Sequence, residues 1–176
     1  MTAAEKEYGG ALYSLAVDEH LEDTLLAGLD AALAAFRENP SYPKLLQNPA
    51  IQKEERLALL DAAFRTSVHA YVVNFLKILC EKSALNMLKG CADEFRALLF
   101  DARGILPVTA ISATALTEQQ IAALKEKLAA KTGKTIALTN IVDEKILGGV
   151  KISYAGKELD GSVAGKLASI RNALMA

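Results

Sequence analysis

Tryptophan is absent from this chain of 176 residues, and phenylalanine and tyrosine number only five each. Aromatic anchors are scarce, so a binding surface has to draw on aliphatic area. Histidine occurs twice, as His20 and His69, and cysteine twice, as Cys80 and Cys91. Two cysteines do not make a disulfide scaffold in a chain of this length. Two histidines leave little for metal ligation or acid–base chemistry. No apolar run approaches the ~18–20 residues that span a bilayer, so direct membrane insertion is not expected. The opening Met1-Thr2-Ala3-Ala4-Glu5-Lys6-Glu7 lacks the basic flank and apolar stretch of a signal peptide. Net charge is −1, which gives no basic field for a nucleic acid.

What the chain does have is alanine and leucine, 31 and 27 residues respectively. Both are strong helix formers because they lose little side-chain freedom in a helix. The first hundred residues carry helical periodicity with clear punctuation. Thr2 and Glu5 have capping-box spacing, followed by Tyr8, Ala11/Leu12 and Leu15/Ala16. A second helix runs through Leu21, Leu25, Leu29, Ala32/Leu33 and Phe36, and Asn39-Pro40 stops it. The spacing predicts further helices at about 42–47, 52–64, 68–82 and 86–103.

The pattern changes at Gly104-Ile105-Leu106-Pro107. Val108 to Ala113 alternates with period two and reads as a strand. Thr117 and Gln120 repeat the capping box, and Gly133 ends that helix in the position of a left-handed cap. Strands are expected at Thr135–Ile141 and Leu147–Tyr154, with a short one ending at Leu159. A last helix is expected from Asp160-Gly161-Ser162 through Leu174. The fold class is therefore α+β: an N-terminal six-helix bundle, residues 1–104, then a small mixed α/β domain, residues 105–176. Charge divides at the same place, with residues 1–104 at −4 and residues 105–176 at +3. Seven acids and a single lysine fall within the first 30 residues.

Gly133-Lys134-Thr135 mimics the end of a phosphate-binding loop. Leu128 stands where that loop needs glycine, and the order is helix then strand instead of strand then helix. Gly148-Gly149 is expected to mark a bulge or a close backbone approach in the third strand. No histidine is placed to activate Cys80 or Cys91, so both read as buried, inert thiols. His20 and His69 fall at helix ends and read as surface or capping residues. No catalytic, cofactor-binding or metal-ligating set emerges.

Helix five is the anomaly. Val68, Tyr71, Val72, Val73, Phe75, Leu76, Ile78, Leu79 and Cys80 make it apolar nearly all round. Such a helix is either central in its bundle or offers a second face to a partner. Gly9-Gly10 in the first helix likewise allows close packing within the bundle or docking of a foreign helix.

Taken in order, these residues resemble the delta subunit of F-type ATP synthases, a family related to the mitochondrial oligomycin-sensitivity-conferring protein. The resemblance rests on Tyr8-Gly9-Gly10-Ala11-Leu12-Tyr13, on Leu45-Leu46-Gln47-Asn48-Pro49-Ala50-Ile51, and on Val73-Asn74-Phe75-Leu76-Lys77-Ile78-Leu79. Its most specific part is C-terminal: Val142-Asp143, then Leu147-Gly148-Gly149-Val150, then Leu159-Asp160-Gly161-Ser162-Val163.

The resemblance implies a non-catalytic subunit without cofactors, which ties the catalytic head to the peripheral stalk and resists rotor torque. It implies that helices one and five receive the amphipathic N-terminal helix of an alpha subunit. By position that groove would comprise Tyr8, Ala11, Leu12, Leu15, Val72, Phe75, Leu76 and Leu79. The C-terminal domain, with Asp143, Gly148, Gly149, Asp160, Gly161 and Ser162, would meet the stalk's b subunits. The implied location is the cytoplasmic face of a bacterial plasma membrane, as part of the complex. The competing reading is an unrelated helical adaptor that binds some other amphipathic helix.

Overall fold

The computed structural model describes residues 2–48, 50–143, 146, 148–154 and 157–161. The last helix expected from the sequence, and with it Ser162, lies outside the described residues. The chain divides into two compact units, residues 1–99 and 100–176.

The first unit is helical: α1 (Ala3–Asp18), α2 (Glu22–Glu38), α3 (Ser41–Leu46), α4 (Lys53–Phe64), α5 (Ala70–Glu81) and α6 (Leu88–Ala102). Local chemistry sets most of these ends. The Thr2 hydroxyl accepts from the Glu5 amide, and the Glu5 carboxylate accepts from the Thr2 amide. His20 takes a φ of +56° after α1, a left-handed step that ends the helix. His69 caps α5, its Nδ1 accepting from the Tyr71 amide at 3.3 Å. Pro43 falls in the first turn of α3, where a missing N–H costs nothing. The sixth helix differs from expectation at its start: a 3-10 turn at Leu85–Met87 precedes it. The left-handed φ of Ser83, +53°, reverses the chain just before that turn.

All six helices supply the first core. Leu12 and Ala16 come from α1, Leu25, Leu29 and Ala32 from α2, Leu46 from α3, and Leu60 and Phe64 from α4. Val72, Val73, Phe75, Leu76, Leu79 and Cys80 of α5 and Leu88, Cys91, Ala92, Phe95 and Leu99 of α6 join it. Tyr13 meets Phe95 edge to face, with ring centroids 5.5 Å apart, a favoured aromatic geometry.

The second unit contains β1 (Ile105–Ser112), α7 (Glu118–Thr132), β2 (Thr135–Val142), β3 (Val150–Tyr154) and β4 (Lys157–Asp160). The sheet order is β2-β1-β3-β4. β1 and β2 are parallel, as the α7 crossover requires, and the other pairs are antiparallel. Pro107 is accommodated inside β1 because β3 pairing stops at Val108, which leaves β1 an edge there. Gly133 caps α7 at φ +68°. A small core of Val108, Leu128 and Ile136 joins α7 to the sheet.

The third strand is Val150–Tyr154; Leu147, where the sequence places its start, lies outside the described residues. Gly148 and Gly149 have φ values of +150° and +82°. Extended strand backbone needs negative φ, so these glycines form the bend that feeds β3 and no bulge within it.

Candidate functional site

The nearly all-apolar α5 resolves into two faces. Val72, Leu76 and Leu79 are fully buried in the first core, and Val73 and Cys80 are buried too. A second stripe, Tyr71, Asn74, Phe75 and Ile78, follows the i, i+3, i+4, i+7 spacing of one helix face. This stripe lies beside Tyr8, Ala11, Leu12 and Leu15 of α1, and together they line a cleft of about 450 Å³. Phe75 and Leu12 are buried and form the floor. Ile78, 47% exposed, stands at the rim and extends the apolar surface of the cleft.

Of the eight groove residues expected from the sequence, the structure brings five together along this cleft: Tyr8, Ala11, Leu12, Leu15 and Phe75. Val72, Leu76 and Leu79 point into the core instead. Tyr71, Asn74 and Ile78 take their place on the cleft side. The signal for them was the spacing around Phe75. Polar Asn74 within the stripe hides it from a purely apolar reading.

The two glycines of α1 also separate. A Cβ on Gly9 would lie 2.6 Å from the Cys91 carbonyl oxygen, so Gly9 lets α1 pack against the α6 backbone. Gly10 has only Leu98 Cδ1 near, at 3.9 Å. Close approach therefore serves packing inside the unit, and the cleft lies on another side of α1.

The C-terminal signature residues gather at one end of the sheet. The Asp143 amide donates to the Ser112 carbonyl at 2.9 Å, and Ser112 pairs in register with Val150. Gly149 precedes Val150, and the Gly161 amide donates to the Val150 carbonyl at 3.1 Å. A Cβ on Gly161 would sit 2.9 Å from that same oxygen, so only glycine fits. Asp160 pairs with Lys151 across β3 and β4, carboxylate to ammonium at 3.5 Å. Behind this edge, Asn140 donates to the Ala110 carbonyl at 3.0 Å and the Ser112 hydroxyl at 2.8 Å, and accepts from the Leu116 amide at 3.0 Å.

Gly133-Lys134-Thr135 is a helix stop followed by a strand, as the sequence indicates. No group of three or more His, Cys, Asp or Glu positioned for a metal ion occurs among the described residues. Both thiols are buried. Burial, reinforced by the Glu5 carboxylate, pushes the Cys91 thiol up to about 11. Burial also raises Cys80. No described helix is long and apolar enough to cross a membrane.

Comparison with known proteins agrees across sequence and fold. The family model described as ATP synthase delta (OSCP) subunit matches residues 4–174. ATP synthase subunit delta of Geobacillus sp. (strain WCH70) is 35% identical over 171 residues, covering 97% of this chain and 96% of that one. Subunit delta of Synechococcus elongatus is 35% identical over 172 residues, covering 96% and 94%. That of Acetivibrio thermocellus is 32% identical over 176 residues, covering 99% of both. In overall fold the chain resembles a chain of the Toxoplasma gondii mitochondrial ATP synthase hexamer, with a TM-score of 0.75 at 19% identity over 100% of this chain and 99% of that one. With the match running through the helical unit and the sheet alike, the chain belongs to the ATP synthase delta (OSCP) subunit family.

Proposed function

We propose that this protein is a peripheral-stalk subunit of an F-type ATP synthase, structural in role, that holds the amphipathic N-terminal helix of an alpha subunit in the α1–α5 cleft. The observation that carries this reading is the apolar cleft itself, lined by Tyr8, Leu12, Leu15, Tyr71, Phe75 and Ile78 on a member of this family. A helix laid in a groove buries its apolar stripe there, and the rim sets specificity. Covering a few hundred square ångströms of such surface, at about 25 cal/mol per Å², releases several kcal/mol before association costs. With so few aromatics, affinity comes from area and fit, with Tyr8, Tyr71 and Phe75 as the large anchors.

The six-helix unit, taken as residues 1–104, is the head-binding part in this reading. The second domain, taken as residues 105–176 and bearing Asp143, Gly148, Gly149, Asp160 and Gly161, meets the b subunits. The two attachments join head to stalk, so the head does not turn with the rotor. The subunit has no active site of its own and works on the cytoplasmic face of a bacterial plasma membrane as part of the complex.

The test is titration calorimetry of the full chain with a synthetic peptide of the cognate alpha N-terminus. Saturable binding that is lost in Ile78→Glu supports the cleft. Absence of binding by the wild-type chain would falsify the groove assignment.

A further inference from the structure

Every residue lining the cleft between α1 and α5 is apolar or a tyrosine, except Asn74. Asn74 stands three residues after Tyr71 and four before Ile78, on the face of α5 that they share. It is exposed, while Phe75 beside it is buried. On local grounds asparagine is a poor choice there. Its short polar side chain favours caps and turns, and inside a helix it ranks well below alanine. Asn74 is neither a cap nor part of a turn, since α5 runs unbroken from Ala70 to Glu81.

Other polar side chains of α5 have partners that tie the helix to its neighbours. Lys77 pairs with Asp61 of α4 at 2.7 Å, and Glu81 with Lys53 of the same helix at 3.2 Å. The Cys80 thiol donates to the Leu46 carbonyl of α3 at 3.6 Å. The Asn74 carboxamide makes no hydrogen bond among the described residues. Packing within the first unit therefore gives no reason for it, and in the free chain its donors and acceptor are met by water.

Filling the cleft removes that water. Tyr71 and Ile78 are roughly 10 Å apart along the helix axis, and a helix that touches both passes over Asn74 between them. A carboxamide covered by aliphatic side chains and left unpaired opposes binding. The tyrosines make no such demand, because a phenol carries its hydroxyl at the far end of an apolar ring and can keep it wet while the ring is buried. The carboxamide of Asn74 sits close to the α5 backbone and has no such reach.

We propose that Asn74 is a specificity-determining residue of this cleft: it pairs with one neutral polar side chain, a carboxamide or a hydroxyl, set within the apolar stripe of the bound helix, and so fixes the register in which that helix lies. The inference rests on the reading that the cleft holds the alpha N-terminal helix, and adds the chemistry by which one register is chosen. Aliphatic and aromatic contacts tolerate a slide along the groove, whereas a single buried polar pair does not. A wholly aliphatic stripe is disfavoured because it leaves the carboxamide unpaired. A charged residue at that position is disfavoured because it loses more hydration than a carboxamide returns.

The experiment is titration calorimetry of the full chain with a synthetic peptide of the cognate alpha N-terminus, arranged as a double-mutant cycle. In the peptide, each neutral polar residue of the apolar stripe is replaced by leucine, one at a time. The protein is wild type, Asn74→Leu or Asn74→Ala. Asn74→Leu is expected to weaken the unaltered peptide about tenfold or more. At one peptide position, and no other, leucine is expected to weaken binding to the wild-type chain by about the same factor and to restore binding to Asn74→Leu. Asn74→Ala is expected to couple to the same position with a smaller restoration, and replaces Asn74→Leu if that variant fails to fold by circular dichroism. Unchanged or higher affinity of Asn74→Leu for the unaltered peptide would overturn the role of Asn74 and leave the cleft standing. So would a weakening that couples to no peptide position, or saturable binding of a cognate helix whose stripe holds no neutral polar residue. No binding by the wild-type chain would overturn the reading of the cleft, and the role of Asn74 with it.

Discussion

Gly9 of α1 lies against the backbone of α6 at Cys91, with room for a hydrogen and none for a methyl group: a Cβ there would be 2.6 Å from the Cys91 carbonyl oxygen and 2.9 Å from Glu94 Cβ. Its neighbour Gly10 would meet only Leu98 Cδ1, at 3.9 Å. The same substitution should therefore act with opposite sign at adjacent positions. Gly10→Ala gains helix propensity and should stabilise by up to about 1 kcal/mol. Gly9→Ala gains the same propensity but forces two helix backbones apart, a net loss of about 1–3 kcal/mol. Urea unfolding of the two variants, followed by far-ultraviolet circular dichroism, measures both.

The two faces of α5 separate binding from stability. Ile78→Glu places a charge on an exposed rim and should leave stability nearly unchanged, while alpha-peptide affinity falls about tenfold or more. Leu76→Ala opens a cavity in the first core and should cost about 2–5 kcal/mol of stability. Equal loss of peptide affinity per unit of stability in both variants would show that the cleft has no special role. The acidic start of the chain adds a condition. Added salt should weaken the peptide complex if its rim is basic, and unchanged affinity would remove that electrostatic component.

The buried thiols predict a pH dependence. Cys91 is raised to about 11 by burial and by the Glu5 carboxylate. The thiol therefore stays protonated in the folded chain where it would begin to ionise in the unfolded chain. A raised folded pKa contributes stability that is fully present below the unfolded value of 9.0 and is lost as pH rises through about 11. Urea midpoints should fall across that window, and less steeply in Cys91→Ala. At neutral pH an aromatic disulfide reagent should titrate neither cysteine until denaturant is added.

Asn140 ties β2 to the end of β1 and to the loop that follows. Asn140→Ala removes the bonds donated to the Ala110 carbonyl and the Ser112 hydroxyl and the bond accepted from the Leu116 amide at once. It leaves the Leu116 amide and the Ala110 carbonyl without this partner, at a cost of about 1–3 kcal/mol. Hydrogen exchange should show the loss concentrated in residues 110–117 and 140–142, with α1–α6 unaffected.

Much of the fold was legible because helix ends are local events. The Thr2/Glu5 and Thr117/Gln120 boxes, the Asn39-Pro40 stop and the Gly133 cap depend on hydrogen bonds and φ preferences within a few residues. The start of β3 was harder. Gly148-Gly149 could bend the chain before a strand or bulge within it, and sequence spacing does not distinguish these.

By itself the sequence determined the α+β class, the positions of most helix boundaries and an ordered C-terminal signature, since these follow from local propensity and residue identity. Only the tertiary structure decided which side of α5 is free. A helix that is apolar almost all round carries no stripe to choose by, so Val72, Leu76 and Leu79 go inward, Phe75 is buried at the floor of the cleft, and Tyr71, Asn74 and Ile78 line its open side according to where α1, α2 and α4 lie. The separate fates of Gly9 and Gly10, and the pairing of Gly161 with Val150, were decided in the same way. They are contacts between distant segments, and no local preference encodes them.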